Sequence, residues 1–226
     1  MQLFITDFEV QNKEIIVENL DILHQIKNVL RSQIGDVVNI QNDEMRYEIE
    51  IKALDDKTFT GTILKEIKKT ENSGYKGMFV AMPNKWDKIE LITQKLTEIW
   101  LDEIIFFPSE RSIIRQWNEK KEQRLMKIVR EAVEQSWGWN IPTVKFAPDI
   151  QKELDGKSLV VFDKTEKDTW EIVAAKKLFW IVGPEGGLTT RDYENFGDHK
   201  IYALWETILR IETAAIVGGW IIKNKA

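Results

Sequence analysis

A glycine-rich segment at residues 183–187 is the part of the sequence best suited to bind a ligand through its backbone. It reads Gly-Pro-Glu-Gly-Gly, directly after an apolar run and shortly before a residue that can cap a helix. Glycine and proline together favour a tight turn with few side chains, so a ligand can approach backbone N–H and C=O groups closely. A plain turn between a strand and a helix would look the same, and that interpretation stays open. The segment has neither the ending of a Walker loop nor the glycine spacing of a dinucleotide-binding turn.

A second stretch, residues 204–215, also follows an apolar run and enters a segment with helical character. Arg210, Glu212 and Thr213 lie where that last helix should begin. A glutamate in a first helical turn is favoured by the helix dipole, and an arginine there can form a surface ion pair, so a purely structural explanation exists. Two such loops after strands of one domain nevertheless favour a shared pocket.

The composition excludes several kinds of chemistry. The chain has 226 residues and no cysteine, which excludes disulfides, cysteine-ligated zinc and a cysteine nucleophile. Its two histidines, His24 and His199, are far apart, so neither a catalytic triad nor a metal site is expected. No apolar run reaches the roughly 20 residues of a membrane span, and the N-terminus lacks a signal-peptide pattern. We therefore expect a cytoplasmic protein.

Positive charge collects between residues 109 and 145, although the net charge of the chain is −5. The basic residues of this segment are Arg111, Arg115, Lys120, Lys121, Arg124, Lys127, Arg130 and Lys145. They outnumber the acidic residues, which are Glu110, Glu119, Glu122, Glu131 and Glu134. The segment is either a solvated helix face or a surface that faces phosphate groups.

A polar stretch at residues 68–74 divides the chain into two predicted domains. Before it, the patterns predict strands at residues 14–17, 36–40, 46–51 and 59–64 and a helix at residues 22–30. They favour a small β-barrel with one helix over residues 1–70.

After residue 75, predicted strands alternate with predicted helices. The strands cover residues 78–82, 103–107, 158–162, 178–182 and 200–204, and the helices cover residues 89–99, 125–133 and 212–222. A further helix should begin after Thr189, with Asp192 completing its cap. This alternation predicts a parallel α/β sheet, whose ligands bind beyond the carboxyl ends of the strands at a topological switch point.

On these residues the chain resembles the bacterial 16S ribosomal RNA uracil-N3-methyltransferases of the SPOUT superfamily. Residues 183–188 and 208–214 carry the resemblance. Supporting matches, in order along the chain, are His24, Val29 to Arg31, Gly35-Asp36, Lys85, Lys88, residues 94–98, 109–112 and 131–136, and Pro142.

The resemblance implies an N-terminal PUA-like RNA-binding β-barrel over residues 1–70 and a C-terminal knotted parallel-sheet domain over residues 75–226. It implies a homodimer with S-adenosyl-L-methionine as cofactor and 16S ribosomal RNA, or the small ribosomal subunit, as partner. The cofactor-binding residues that it implies are Gly183, Pro184, Glu185, Gly186, Gly187, Leu204, Ile208, Leu209 and Thr213. The RNA-binding residues that it implies are Arg31, Lys85, Arg111 and Arg115.

The implied reaction places a methyl group on N3 of a uridine. That nitrogen carries a proton and is a poor nucleophile until the proton leaves, whereas a sulfonium methyl donor needs little activation. The enzyme must position the reactants and stabilise charge that develops on the uracil oxygens. Arg210 is our candidate for this stabilisation and Arg111 a second one, from the same or the partner subunit. Glu185 and Glu212 are the candidates for the base.

Three tryptophans stand where the family has glycine, namely Trp100, Trp137 and Trp205, and Thr207 replaces an arginine. Tryptophan in place of glycine adds volume, and it strains the backbone where φ is positive. One hypothesis is that the gene comes from an organism that reads UGA as glycine. UGG codons at these positions would contradict it, and ordinary divergence is the alternative.

Three functions therefore stay open. The first is an active uridine-N3 methyltransferase, and the second is a catalytically silent RNA-binding or ribosome-assembly protein of the same fold. The third is a SPOUT methyltransferase that acts on another RNA.

Overall fold

The computed structural model of the chain describes residues 2–70, 74–163, 175–204 and 207–225. The chain folds into two compact units. The first comprises Met1–Glu71 together with Glu134–Trp139, and the second comprises Asn72–Val133 and Asn140–Ala226. Part of the predicted boundary stretch, residues 71–73, lies outside the described residues.

A six-stranded mixed sheet and one helical segment form the first unit. The elements are β1 (Leu3–Ile5), β2 (Glu9–Gln11), β3 (Glu14–Val17), α1 (Leu20–His24), a π-helical turn (Gln25–Val29), β4 (Val37–Gln41), β5 (Met45–Leu54) and β6 (Phe59–Lys68). The strand order is β1-β4-β5-β6-β3-β2, in which only β1 and β4 pair in parallel. The four predicted strands and the predicted helix are confirmed, whereas β1 and β2 were missed.

Alternation along the long strands builds the core of the first unit. Tyr47, Ile49 and Ile51 occupy every second position of β5 and are buried, because successive side chains of a strand point to opposite faces. Phe59 of β6 and Ile15 of β3 join the same core. Each such side chain contributes about 1.5–3 kcal/mol by leaving water.

Arg46 connects residues 134–139 to this unit. Its guanidinium is buried and donates to the carbonyl of Trp137 at 3.0 Å and that of Gly138 at 3.2 Å. It also bonds Gln41 Oε1 and lies 4.3 Å from the ring centroid of Trp139. A buried guanidinium needs such acceptors, because desolvation without them is costly.

The second unit is a parallel α/β fold, as predicted. Its elements are β7 (Tyr75–Ala81), α2 (Trp86–Glu98), β8 (Glu103–Phe107), α3 (Glu119–Ser136), β9 (Thr143–Phe146), a 3₁₀ turn (Ile150–Glu153), β10 (Ser158–Phe162), β11 (Lys177–Val182), α4 (Thr190–Phe196), β12 (Lys200–Tyr202) and α5 (Ile211–Lys225). The end of α3 belongs to the first unit. All six strands pair in parallel in the order β12-β10-β11-β7-β8-β9.

The sheet order creates the switch point that the sequence predicted. Strand β10 lies between β11 and β12, so the chain that leaves β11 passes through α4 and returns on the other side of β10. Phe162, the last residue of β10, pairs with Val182 on one side and Tyr202 on the other. The loops that follow β11 and β12 therefore start level with each other. Of the helices in the described ranges, none has both the length and the hydropathy needed to cross a bilayer.

Two of the three unexpected tryptophans have left-handed backbones. The φ angles are 67° at Trp100 and 58° at Trp137, whereas Trp205 lies outside the described residues. Helix α2 ends at Ile99 in a Schellman motif: Trp100 N–H donates to Thr97 O at 2.9 Å, and Leu101 N–H donates to Leu96 O at 3.3 Å. Glycine is the usual residue at the position of Trp100 in this motif, because it carries no Cβ. These angles support glycine as the residue that suits both positions.

Substitution of Trp100 measures the backbone cost. We expect Trp100→Gly to be about 1 kcal/mol more stable than Trp100→Ala, because both variants lose the indole and only glycine accepts a positive φ without strain. Urea unfolding followed by circular dichroism gives the two free energies. The neighbouring Ile99, with φ −81°, is the control: there alanine should be more stable than glycine. Equal stabilities for the two Trp100 variants would contradict the prediction.

Candidate active site

A cavity of about 470 Å³ opens where β10, β11 and β12 end. Its volume lies within the range of small-molecule sites, about 300–1,000 Å³. The described lining consists of Phe162, Asp163, Val182, Gly183, Pro184, Glu185, Gly186, Gly187, Leu188, Leu204, Thr207, Ile208, Leu209, Arg210, Ile211 and Ala214. The two loops that the sequence singled out therefore share one cavity.

At the glycines of the 183–187 loop, a Cβ atom would crowd a neighbouring side chain or sit on a strained backbone. A Cβ atom at Gly183 would lie 2.9 Å from Leu188 Cγ, and one at Gly186 would lie 3.3 Å from Arg111 Cδ. Gly187 has a φ of +76°, and its N–H closes a turn to Pro184 O at 2.8 Å. The loop consequently offers its backbone to the cavity.

Lys88 connects the two halves of the site. Its Nζ lies 2.6 Å from Glu185 Oε1, on the first loop, and 3.5 Å from Glu212 Oε2, in the first turn of α5. Asn84 N–H lies 3.4 Å from the same Glu185 oxygen. Glu212 Oε2 is buried and has no hydrogen-bond partner among the described residues, so the longer contact is an ion pair without hydrogen-bond geometry.

These contacts change the proton affinities of Lys88 and Glu185. The hydrogen bond to Glu185, aided by the charges of Glu185 and Glu212, raises the pKa of Lys88 despite partial burial. Burial alone would raise the pKa of Glu185, but the hydrogen bonds from Lys88 and Asn84 outweigh it and lower that pKa. Both side chains are therefore held in their charged forms near neutral pH.

The segment after β8 covers the glycine-rich loop. Arg111 Nη1 donates to Gly186 O, and the stem of this side chain lies on Gly186. Glu110 N–H donates to Asp192 Oδ1 at 2.9 Å. Asp192 is buried and completes a capping box with Thr189, which confirms the predicted start of α4. The loop is thus held from outside the cavity.

The structure places the residues named from sequence in three groups. The first group lines the cavity: it contains every implied cofactor-binding residue except Thr213, together with Arg210. Thr213 is exposed in the first turn of α5. The second group contacts residues of the site: Arg111 contacts Gly186, and Glu212 contacts Lys88.

The third group, the implied RNA-binding residues other than Arg111, is exposed. Lys85 is exposed at the start of α2, and Arg115 is exposed and donates to Glu110 O at 2.7 Å. Arg31 is exposed on the first unit with a φ of 55°.

Comparison with known proteins identifies the family of the chain. Residues 71–222, the greater part of the sequence, match the family described as RNA methyltransferase domain. The chain belongs to this RNA methyltransferase family. The resemblance drawn from the sequence motifs is thereby confirmed at the level of the family.

Named relatives of this RNA methyltransferase cover nearly its whole length. Ribosomal RNA small subunit methyltransferase E of Bacillus subtilis is 28% identical over 86% of this chain and 84% of its own. The Rickettsia conorii protein of the same name is 26% identical over 95% and 91%. The crystal structure of the Neisseria gonorrhoeae protein of that name, bound to S-adenosylmethionine, is 21% identical and superposes with a TM-score of 0.81 over 97% of this chain and 95% of that one. This last likeness shows the shared fold.

The sequence did not single out two residues that the structure places at the cavity or in contact with its lining, Asp163 and Lys88. Asp163 directly follows a strand that was predicted at its observed bounds, so a search for polar residues at the carboxyl ends of strands would have found it. Lys88 was noted only as a family match, because its pairing with Glu185 joins positions far apart in sequence. Among the described residues, no group of three or more His, Asp or Glu side chains could hold a metal ion.

Removal of Lys88 tests its role as the link between the loops. We expect Lys88→Met to lower the free energy of unfolding by about 1–3 kcal/mol at pH 7, because two carboxylates lose their common cation. The pKa of Glu185 is lowered in the folded protein, so this difference should be present above about pH 4.3 and vanish as the pH falls through the folded value. Urea unfolding of both proteins between pH 3 and pH 7 provides the measurement.

Lys95→Met is the matched control on the same helix. Lys95 forms a more exposed pair with Glu98, at 2.9 Å and three residues away. Exposed pairs of this kind contribute about 0–1 kcal/mol. A loss for Lys88→Met that is no larger than for Lys95→Met, or that does not depend on pH, would show that Lys88 does not hold the loops.

Proposed function

We propose that this protein transfers a methyl group from S-adenosylmethionine to N3 of a uridine in 16S ribosomal RNA. The observation that carries the proposal is the cavity shared by residues 183–188 with Leu204 and residues 207–211, in a chain of the RNA methyltransferase family. The relatives named as small-subunit ribosomal RNA methyltransferases support 16S RNA as the substrate.

The cavity suits S-adenosylmethionine as the cofactor. Phe162, Val182 and Leu188 give it an apolar floor for an adenine ring, and the bare backbone of residues 183–187 can bond polar groups of the ligand. The carboxylate of Glu185 suits a ligand that carries an ammonium and a sulfonium group. When bound, S-adenosylmethionine supplies a methyl group on a positively charged sulfur, which is electrophilic without acid catalysis.

Arg210 and Glu185 are the residues to which we assign the chemistry. Arg210 is an exposed cation at the rim of the cavity, so a uracil presented there from solvent can place O2 or O4 beside its guanidinium. That charge stabilises the developing anion and makes the N3 proton more acidic. A more acidic N3 proton can pass to a weak base, and Glu185, with its lowered pKa, is a weak base. Glu212 contacts Lys88, so it acts on Glu185 through their shared cation.

The remaining family features are part of the same proposal. Lys85, Arg111 and Arg115 would contact phosphates near the cavity, and the first unit, with Arg31, would bind RNA as a PUA-like barrel. The loops on both sides of β10 would form a trefoil knot, for which the order β12-β10-β11 is the support. We also propose a cytoplasmic homodimer, and exposed apolar side chains on α2 and α5, Leu91 and Trp220, support it.

Mass spectrometry of the RNA product tests the reaction. Small ribosomal subunits that lack the modification are incubated with the protein and S-adenosylmethionine, and 16S RNA is digested to nucleosides. We expect 3-methyluridine, identified by retention time and fragmentation against standards. A methyl group on another atom or another RNA would contradict the proposed target. Binding of the RNA without binding of the cofactor would leave a silent RNA-binding protein.

Substitution of Arg210 tests its assigned role. We expect Arg210→Ala to lower kcat by about 10²–10³-fold, because one donor to a developing oxyanion is lost. The Kd for S-adenosylmethionine, measured by calorimetry, should change little. Arg191→Ala is the control, since this arginine is exposed on α4 and does not line the cavity. A loss that appears only in the Kd of the cofactor would assign Arg210 to cofactor binding instead.

A further inference from the structure

We propose that Asp163 binds the ribose hydroxyl groups of the cofactor and that Tyr193 is a positioning residue that holds the Asp163 carboxylate. The inference rests on the proposed function, and it adds two residues to the site that the sequence motifs did not include. Three observations carry it: the place of Asp163 in the sheet, the contacts of Tyr193, and the apolar floor beside both.

Asp163 occupies the centre of the switch point. It is the first residue after β10, and its N–H donates to Tyr202 O, at the end of β12, at 3.1 Å. On the other side, Phe162 pairs with Val182, so Asp163 lies level with Gly183 at the start of the glycine-rich loop. A ligand held by both loops must pass over this position, and Asp163 lines the cavity.

Tyr193 fixes the carboxylate. Its O–H donates to Asp163 Oδ2 across 30 residues of sequence. The tyrosine ring stacks on His199, with centroids 5.6 Å apart, and meets Phe196 edge to face at 6.0 Å. Burial, followed by the hydrogen bond to Asp163, raises the pKa of Tyr193, so this hydroxyl remains a donor throughout the physiological range. A carboxylate offers about four lone-pair positions, so it can accept from the Tyr193 hydroxyl and from ligand hydroxyl groups together.

The neighbours of Asp163 indicate which part of the cofactor it meets. Phe162 and Val182 form the apolar floor of the cavity next to Asp163. An adenine ring that packs on this floor would place its attached ribose beside the Asp163 carboxylate. A vicinal diol offers two O–H donors to one carboxylate, the pairing by which an acidic residue binds ribose in dinucleotide sites. Arg210 and Glu185, which we assign to the reacting end, belong to the two loops on either side.

Calorimetry with two ligands tests the assignment. The ligands are S-adenosylmethionine and 5′-methylthioadenosine, which keeps the adenine and the ribose but lacks the amino-acid end. We expect Asp163→Asn to raise Kd by about 10- to 100-fold for both, as for the loss of a hydrogen bond to a charged group. Asp198→Asn, at an exposed position outside this cavity, should change neither Kd.

A double-mutant cycle tests the positioning role of Tyr193. Tyr193→Phe should raise both Kd values by a smaller factor, and this effect should disappear in the Asp163→Asn background, because the two residues act through one carboxylate. A purely structural role of Tyr193 predicts equal factors in both backgrounds. Thermal unfolding of each variant confirms that the fold is retained.

Each result separates the inference from the proposed function. If the wild-type protein binds neither ligand, the proposed function fails. If it binds both and Asp163→Asn binds them equally well, only the inference is overturned. A loss confined to S-adenosylmethionine would place Asp163 at the amino-acid end and overturn the ribose assignment.

If Asp163→Asn does not fold, the wild-type protein is tested with 5′-methylthio-2′,3′-dideoxyadenosine, which lacks both ribose hydroxyl groups. We expect this analogue to bind about 10-fold more weakly than methylthioadenosine, and equal binding would refute the contact.

Discussion

Parallel pairing of β10 with both β11 and β12 is the constraint on which the site depends. Phe162 pairs with the last residue of each neighbour, Val182 and Tyr202, so the three strands end at one level. A slip of one residue in either pairing would turn every side chain of the strand to the opposite face of the sheet. The two loops that line the cavity would then start at different heights, and Asp163 would leave the cavity between them.

Glycine-rich loops cannot hold themselves in place, because glycine has the largest conformational freedom of any residue. In this protein the fixing groups come from outside the loop. Lys88 holds Glu185 from α2, Arg111 holds the carbonyl of Gly186 from the segment after β8, and Asp192 ties that segment to the start of α4. Each contact lowers the entropy that ligand binding would otherwise have to remove. The backbone of the loop can therefore face the cavity while side chains from three other segments set its shape.

The sequence predicted the parts of this structure that local patterns encode. Buried parallel strands are continuous apolar runs, so residues 103–107 and 158–162 were predicted at the observed bounds, and Thr189 with Asp192 marked the start of α4. A run of three or four residues is too short for its pattern to decide, so β3 and β12 were predicted whereas β1, β2 and β9, of similar length, were missed. The pairing of Lys88 with Glu185 and of Tyr193 with Asp163 joins distant positions, which no local pattern encodes. The sequence did not predict the left-handed backbone of Trp100; the glycine that the family has there only raised the question of a positive φ.

Residues 134–139 affect how the first unit can be isolated. Within that unit, Glu134 accepts a hydrogen bond from the N–H of Ile5 at 3.2 Å, and the carbonyls of Trp137 and Gly138 are acceptors for the buried guanidinium of Arg46. A fragment that stops near residue 71 would keep the bonds from Arg46 to Gln41 but lose these acceptors and the contact with the Trp139 ring, so its stability would be lower. The first unit is thus discontinuous along the chain. Its independent folding would require a fragment in which a short linker rejoins the 134–139 stretch to the N-terminal strands.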